Sequence, residues 1–263
     1  MSATTEQRRE AILEELLGSK KVMVRDLADE LSVSEATVRR DLKALADEGQ
    51  VELVYGGAIL PRRSDFSFRS KAVRNVDDKR VIGRLAGERV GDGDQILIDS
   101  GTTCFQMVPA LKATRGVSVI VNSARLALEL DTPALSVILL GGQYRPDRMD
   151  TVGPLAGATL EQLHGYVAFI SADGLSMDVG LTASDIESAD LYRRAVANAR
   201  RTVLLADSSK FESASLFKIV DFDAISCVIT ERAPRPAWME FFRENQIEVV
   251  CPDEGSSGQA ADA

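Results

Sequence analysis

Histidine is almost missing from this chain: His164 is the only one in 263 residues. That excludes a histidine-rich metal centre and leaves few options for imidazole catalysis. Following a helical stretch from Ala158 to Leu163, His164 reads as a surface or packing residue. Cysteine is scarce as well. Cys104, Cys227 and Cys251 are odd in number and scattered, with no CxxC pair. Neither a disulfide framework nor a zinc site is expected, and a reducing compartment is. No apolar run approaches the ~20 residues a membrane span needs. The opening MSATTEQRREAILEELL is charged throughout and lacks an apolar signal-peptide core. The expectation is a cytoplasmic protein with no metal and no cofactor.

What remains is ordinary globular material, 45% hydrophobic and 27% charged. The length suits one small and one medium domain, each with its own core. The net charge of −9 argues at first against nucleic-acid binding. Even the first sixty residues are acidic, with eight Lys/Arg against twelve Asp/Glu. Net charge governs solubility and steering, however, whereas binding depends on where the cations sit. They cluster at Arg39, Arg40 and Lys43, and again at Arg62, Arg63, Arg69, Lys71 and Arg74.

Residues 1–60 read as three helices and a hairpin. Ile12, Leu13, Leu16 and Leu17 recur at helical spacing, and Gly18-Ser19 stops that helix. Val24, Leu27, Ala28 and Leu31 form a second amphipathic stretch. Ser34 is a suitable N-cap for a third helix carrying Val38, Leu42 and Leu45, which Gly49 ends. Val51, Leu53 and Tyr55 then alternate as a strand, Gly56-Gly57 turns, and Ala58-Ile59-Leu60 returns. This is the arrangement of a winged helix-turn-helix. With Val38, Leu42 and Leu45 inward, Ala36, Thr37, Arg40, Lys43 and Ala44 face out and Arg39 flanks them. Thr37 and Arg40 would reach base edges in the major groove. Arg39, Lys43 and Ser34 would contact phosphates, and Tyr55-Gly56 would form the wing. A three-helix protein-interaction module with a solvated basic face is the plainer alternative.

The string VSEATVRRDLKALADEGQVELVYGGA resembles the N-terminal signature of the DeoR family of bacterial regulators. The matching residues are Val33, Ser34, Thr37, Val38, Arg39, Arg40, Asp41 and Leu42, then Gly56, Gly57 and Ala58. Tyr55 stands where the family usually has histidine, which weakens the expected wing contact.

Residues 61–78 are polar, basic and weakly patterned and read as a linker. From 79 to 252 short apolar runs alternate with helical stretches: Gln95–Asp99, Val117–Val121, Val137–Leu140, Val167–Ser171, Val203–Ala206, Cys227–Thr230 and Glu248–Val250. That pattern predicts an α/β domain, Rossmann-like, with a mostly parallel sheet. Residues 253–263, DEGSSGQAADA, read as a disordered tail.

In such sheets ligands bind beyond the carboxyl ends of the strands, where this sequence places polar and glycine residues. Asp99-Ser100-Gly101-Thr102-Thr103 follows the first run, and its glycine, hydroxyls and helix-start amides suit an anion. Arg145 and Lys210 would supply positive charge for a phosphate. Asp99, Asn122 and Asp173 would hydrogen-bond sugar hydroxyls. Each element alone has a structural reading as a turn or a helix cap; their convergence carries the argument. Cys104 near a helix start would be redox-sensitive or simply packed, and Glu187 would face the ligand or solvent.

The same segment is similar to the DeoR effector domain in its D-S-G-T-T, T-N-S, G-G-x-x-R, A-D-G and D-S-S-K-[FW] elements, taken in order, with Val121 where threonine usually precedes the asparagine. The resemblance implies an effector domain related in fold to ribose-5-phosphate isomerases and CoA transferases. It also implies a regulator, usually a repressor, of a carbohydrate-catabolism operon. Its partners would be operator DNA, a phosphorylated sugar and further copies of itself, as a homodimer or homotetramer. The alternative from another class is a sugar-phosphate isomerase-like enzyme with an appended DNA-binding domain, since the expected pocket holds carboxylates and a lysine.

Overall fold

A computed structural model describes residues 5–19, 21–47, 50–59 and 68–252. Gly49, Leu60, Arg62, Arg63 and the tail from 253 onward lie outside the described residues. The chain divides into two compact units that meet between Arg74 and Asn75.

The first unit contains α1 (Thr5–Ser19), β1 (Lys21–Met23), α2 (Val24–Glu30), α3 (Glu35–Asp47), β2 (Glu52–Val54), β3 (Gly57–Ile59) and α4 (Phe68–Ala72). Ile12, Leu13 and Leu16 of α1 pack with Leu27 of α2 and with Val38, Leu42 and Leu45 of α3, all at least nine-tenths buried. Strand β1 was not apparent from sequence, because three residues offer too short a stretch to show alternation. It pairs antiparallel with β3, which pairs with β2, in the order β1-β3-β2. This pairing explains Gly57: a Cβ there would sit 1.9 Å from the Val22 carbonyl oxygen. Within the segment read as a linker, Phe68–Ala72 is helical and a further helix starts at Val76. Phe68 is buried and Lys71 and Ala72 are half-buried, too little apolar pattern to mark a helix in sequence.

The second unit opens with α5 (Val76–Gly87), β4 (Gln95–Ile98), α6 (Thr102–Phe105), α7 (Val108–Leu111), β5 (Val117–Val121), α8 (Ala124–Glu129) and β6 (Leu135–Leu139). A hairpin of β7 (Gln143–Arg145) and β8 (Asp150–Val152) leads to α9 (Pro154–Leu160). Then come β9 (Val167–Ser171), β10 (Gly174–Ser176), β11 (Gly180–Ala183), α10 (Ile186–Asn198), β12 (Arg201–Leu205), β13 (Phe217–Lys218), β14 (Cys227–Ile229), α11 (Pro236–Glu244) and β15 (Glu248–Val250).

The seven strands expected from the apolar runs form one sheet in the order β15-β14-β12-β9-β4-β5-β6, and every pairing in it is parallel. Its residues alternate between two cores. Ile96, Ile98, Val117, Val119, Val121 and Phe169 face α5 to α8 on one side. Leu97, Ile120, Ala168, Ile170 and Leu204 face α9, α10 and α11 on the other. Burial on both faces requires continuous apolar strands rather than alternating ones, as this sequence has. Two small antiparallel sheets, β7-β8 and β10-β11-β13, sit outside this pattern and were not foreseen.

On the second face Trp238 lies edge-on to Phe211, with ring centroids 5.2 Å apart, and donates through Nε1 to the Phe211 carbonyl at 3.0 Å. Phe242, fully buried, packs 5.4 Å from the same indole. Replacing Phe242 with alanine is expected to cost about 3–5 kcal/mol. Denaturation followed by the fluorescence of Trp238 will show the lowered midpoint; an unchanged midpoint would mean that this cluster does not anchor the sheet.

Candidate functional site

In the first unit α2 and α3 meet at a tight turn. Ser32 takes a left-handed conformation (φ 51°) and the Val33 amide donates to the Ala28 carbonyl at 3.0 Å. Ser34 then caps α3 by accepting from the Thr37 amide at 3.2 Å, and the two hydroxyls lie 2.9 Å apart. That cap uses one acceptor of Ser34 and leaves its hydroxyl at the helix start. Along α3 the buried Val38, Leu42 and Leu45 turn inward, while Arg39, Arg40 and Lys43 are exposed. Arg39 pairs with Glu35 at 2.7 Å, an exposed contact worth about 0.3–0.5 kcal/mol and readily exchanged for a phosphate. Arg40 and Lys43 have no ion pair among the described residues. Tyr55 is fully exposed at the turn between β2 and β3, beside Gly56 at φ 77°.

Asp41 behaves differently. It lies on α3 next to Arg40 but is 2% exposed, accepting from Arg8 Nε at 2.6 Å and standing 3.4 Å from Arg9 Nε. It joins the exposed-face helix to α1. Sequence reading placed it in the family signature but gave it no role, because Arg8 is 33 residues away and nothing in the spacing links the two.

In the second unit the expected ligand residues divide into those already engaged and those left open. Asp99, beyond β4, is wholly buried. It accepts from the Gly101 amide at 2.8 Å and from Ser171 through the amide at 2.5 Å and the hydroxyl at 2.7 Å. Burial nevertheless raises its carboxyl above the usual range, against these hydrogen bonds. Gly101 is confined by the same contact, since a Cβ there would lie 2.1 Å from Ser171 Oγ. Its lack of a side chain serves the join between β4 and β9. Asn122, also buried, donates to the Thr151 carbonyl at 3.1 Å. Asp173 accepts from the amide and hydroxyl of Ser184 at 2.8 and 2.6 Å.

Arg145 makes the densest set of contacts. It grips Asp150 with two donors at 2.8 and 2.7 Å, Asp185 at 2.8 Å and Ser188 Oγ at 3.0 Å, with Glu187 3.6 Å away. Burial works against its charge, but the hydrogen bonds and charges of Asp150 and Asp185 outweigh that and raise its pKa. Arg148 holds the other oxygen of Asp185 at 2.6 Å. Asp150 in turn accepts from Ser100 Oγ at 2.9 Å, and Ser100 lies 2.9 Å from the buried Tyr192 hydroxyl. The guanidinium expected to meet a phosphate is therefore occupied by carboxylates. Asp150, Asp185, Arg148, Ser188 and Tyr192 were missed in sequence. Asp150 lies on a three-residue hairpin strand, and Tyr192 is hidden in the apolar stripe of α10.

Thr102, Thr103 and Lys210 are the open groups. Both threonines are buried, and their hydroxyls take no hydrogen-bond partner among the described residues. Helix α6, however, is a single turn of four residues. Lys210 is half-buried in a 3-10 turn, Ser208–Glu212, just past β12, and has no ion pair among the described residues. Cys104 is wholly buried; burial, with Asp99 beside it, pushes its thiol well up, which suits packing rather than redox chemistry. A cavity of about 400 Å³ opens at the opposite, amino end of β12 around Arg193, Arg200 and Arg201. Its arginines are engaged: Arg193 with the carbonyls of Lys218 and Ile219, Arg201 with Glu248, and Arg200 3.8 Å from Asp94.

Three outcomes follow from the ion pairs of the two units. Arg145→Ala strands the buried Asp150 and is expected to cost about 3–5 kcal/mol, measured by denaturation; a loss below about 1 kcal/mol would show that the pair is dispensable. Asp185 provides the pH signature. Burial opposes its ionisation, but the Ser188 amide and the charges of Arg148 and Arg145 prevail and hold it below its ordinary 3.8. A depressed carboxylate stabilises the fold above its unfolded pKa, and that contribution fades as pH falls through the folded value. Asp185→Asn is thus expected to flatten the thermal-midpoint profile below about pH 4. In the first unit, the double variant Arg8→Ala/Asp41→Asn is expected to melt higher than Arg8→Ala alone, because it also removes a buried charge left with only the longer Arg9 contact.

Comparison with known proteins covers almost the whole chain. Residues 8–64 match the DeoR-like helix-turn-helix domain, and residues 74–232 match the DeoR C terminal sensor domain. The chain is 31% identical to the HTH-type transcriptional regulator YulB of Bacillus subtilis, over 93% of this chain and 96% of that one. It is 31% identical to the repressor GlcR of the same organism, over 95% and 97%. It is 32% identical to the lactose phosphotransferase system repressor of Lactococcus lactis, over 90% and 95%. Among solved structures, ribose 5-phosphate isomerase from Plasmodium falciparum matches at 12% identity and a TM-score of 0.37, over 51% of this chain and 52% of that one. A likeness of that size carries no argument about activity. Matched along both of its units, the chain belongs to the DeoR family of helix-turn-helix transcriptional regulators, which are DNA-binding transcription factors and not enzymes.

Proposed function

We propose that this regulator represses carbohydrate-utilisation genes and is relieved by a phosphorylated sugar bound at the carboxyl edge of the sensor sheet. The observation that carries the DNA-reading part is the division of charge on α3: Arg40 and Lys43 exposed and without an ion pair among the described residues, Asp41 buried and paired with Arg8. Thr37 and Arg40 would read base edges. Ser34, Arg39, Lys43, Tyr55 and the Gly56 backbone would hold phosphates. A wholly basic protein is not required, since a local cationic face suffices for contact. One helix makes too few contacts for a specific site, so two copies on paired half-sites, as a homodimer or homotetramer, complete the reading.

For the effector, Lys210 is the available cation and Thr102 and Thr103 the available hydroxyls. Asp99, Ser100, Gly101, Asn122 and Asp173 would shape the walls, and Arg145, held by carboxylates, reaches Ser100 through Asp150 without meeting the phosphate itself. The names of relatives support a carbohydrate role: a putative aga operon repressor of Escherichia coli and the lactose phosphotransferase system repressor.

The test is binding to the DNA upstream of its own gene across a salt series, with and without a panel of phosphorylated sugars. Each lost phosphate contact is expected to reduce the log–log salt slope by about 0.9. Lys43→Ala should do so evenly on all sequences, whereas Arg40→Ala should weaken specific binding by about 1–3 kcal/mol. One sugar phosphate should release the DNA from the native chain but not from Lys210→Ala. Failure to retain any DNA at low salt would sink the reading of α3, and release that is insensitive to Lys210→Ala would sink the reading of the sensor edge.

A further inference from the structure

Strand β6 closes one side of the seven-stranded sheet, and among the described residues nothing pairs with its outer side. Alternate residues of a strand direct their amide and carbonyl away from the one neighbour it has, so this side presents a row of unused donors and acceptors. The side chains add to it. Ile138 is 39% exposed and Leu139 46%, and Leu128, on the helix α8 that packs against β6, is 72% exposed. From Pro133 to Tyr144 the sequence carries no charge.

Natural sheets protect such an edge with a charge, a proline, a bulge or a covering element. The opposite edge, β15, follows that rule. It has three residues, and Glu248 at its start is exposed and held by Arg89 at 2.6 Å and by Arg201 at 2.7 Å. Strand β6 has five residues, Leu-Ser-Val-Ile-Leu, with neither a charge nor a proline among them. An uncharged apolar edge of this length templates aggregation when left bare, so a native protein keeps it covered.

The occupant that fits is a second copy of this chain. Val117, Val119 and Val121 face the core under α5 to α8, and their register partners Leu135, Val137 and Leu139 share that face, while Ser136 and Ile138 take the other. A two-fold axis through Val137, perpendicular to the sheet, sets Leu135 opposite Leu139, Ser136 opposite Ile138 and Val137 opposite itself. Each pair lies on one face, so the register keeps apolar groups together. No charge opposes its own copy there, which matters for two chains that each carry a net charge of −9. The same rotation brings the two copies of α8 to one face of the joined sheet, each with Leu128 exposed. We propose that β6 pairs antiparallel with β6 of a second copy and joins two sensor sheets into one. This rests on the reading that the regulator works as paired copies, and it names the surface that joins them.

The test is sedimentation velocity on the full chain over a range of concentrations, beside Ile138→Lys and Leu139→Lys, with circular dichroism to check folding. Both side chains are exposed in the single chain, so a lysine there loses its water only where two copies meet. The native chain is expected to self-associate, and each variant to do so at least about tenfold more weakly. If the native chain is a tetramer, variants that stop at the dimer support the pairing equally. If both variants associate like the native chain, the β6 pairing is overturned while the two-copy reading stands, and another part of the chain or another protein covers this edge. If the native chain stays monomeric throughout, with and without the DNA upstream of its gene, the two-copy reading and the β6 pairing both fall. Should the lysine variants not fold, Val137→Cys decides. A disulfide between position 137 of two copies, identified by mass spectrometry after mild oxidation, supports the pairing, and its absence overturns it.

Discussion

The sensor unit depends on one guanidinium. Arg145, placed between Asp150 and Asp185, ties the β7–β8 hairpin to the start of α10, and Asp150 passes the connection to Ser100 in the loop after β4. Loops at a strand end have no ladder to hold them, so their arrangement must come from side chains. A buried ion pair is a poor source of net stability, because desolvation offsets much of the attraction. What it does provide is a geometry that fails if either partner is removed. Asp150 is wholly buried and Asp185 is also held by Arg148 and the Ser188 amide, so few alternative placements of Arg145 satisfy all of them.

The same economy runs along the sheet edge. Asp99 joins β4 to β9 through Ser171, Asn122 joins β5 to β8, and Asp173 joins the β9 end to Ser184. Each is a polar residue at a position where an α/β sheet usually presents groups to ligands. Most of these groups are turned to holding the edge together, and among the described residues the side chains of Thr102, Thr103 and Lys210 are left without a hydrogen-bond or ion-pair partner. The effector site proposed at this edge would be a rigid rim with a few open contacts, which suits recognition better than turnover.

In the DNA-binding unit the same rule separates charges by depth. Asp41 and Arg8 neutralise one another inside, between α1 and α3, and Arg40 and Lys43 remain outside. An acidic chain can therefore present a cationic helix, because the sign of a surface is set locally and screened within about 10 Å at ordinary salt. The wing is set by backbone proximity, since β3 runs so close to β1 at Gly57 that no side chain fits.

Much of this was legible in the sequence. The seven parallel strands follow from continuous apolar runs, buried on both faces in the inner strands β4, β5, β9, β12 and β14, and α1 to α3 follow from a 3.6-residue stripe with Ser34 at a helix start. These are local patterns, repeated often enough to stand out. Strands of three residues such as β1, β7 and β8 contain no period to read, and the single buried Phe68 does not mark α4. The outward residues of α3 could be chosen from helical geometry alone. The roles at the sheet edge could not, because each depends on a partner distant in the chain: Arg8 with Asp41, Asp99 with Ser171, Arg145 with Asp185. Sequence determined which residues arrive at that edge. Only the tertiary structure decided which of them are spent on each other and which stay open, because a hydrogen bond uses up its donor and acceptor, and spacing along the chain does not record the pairing.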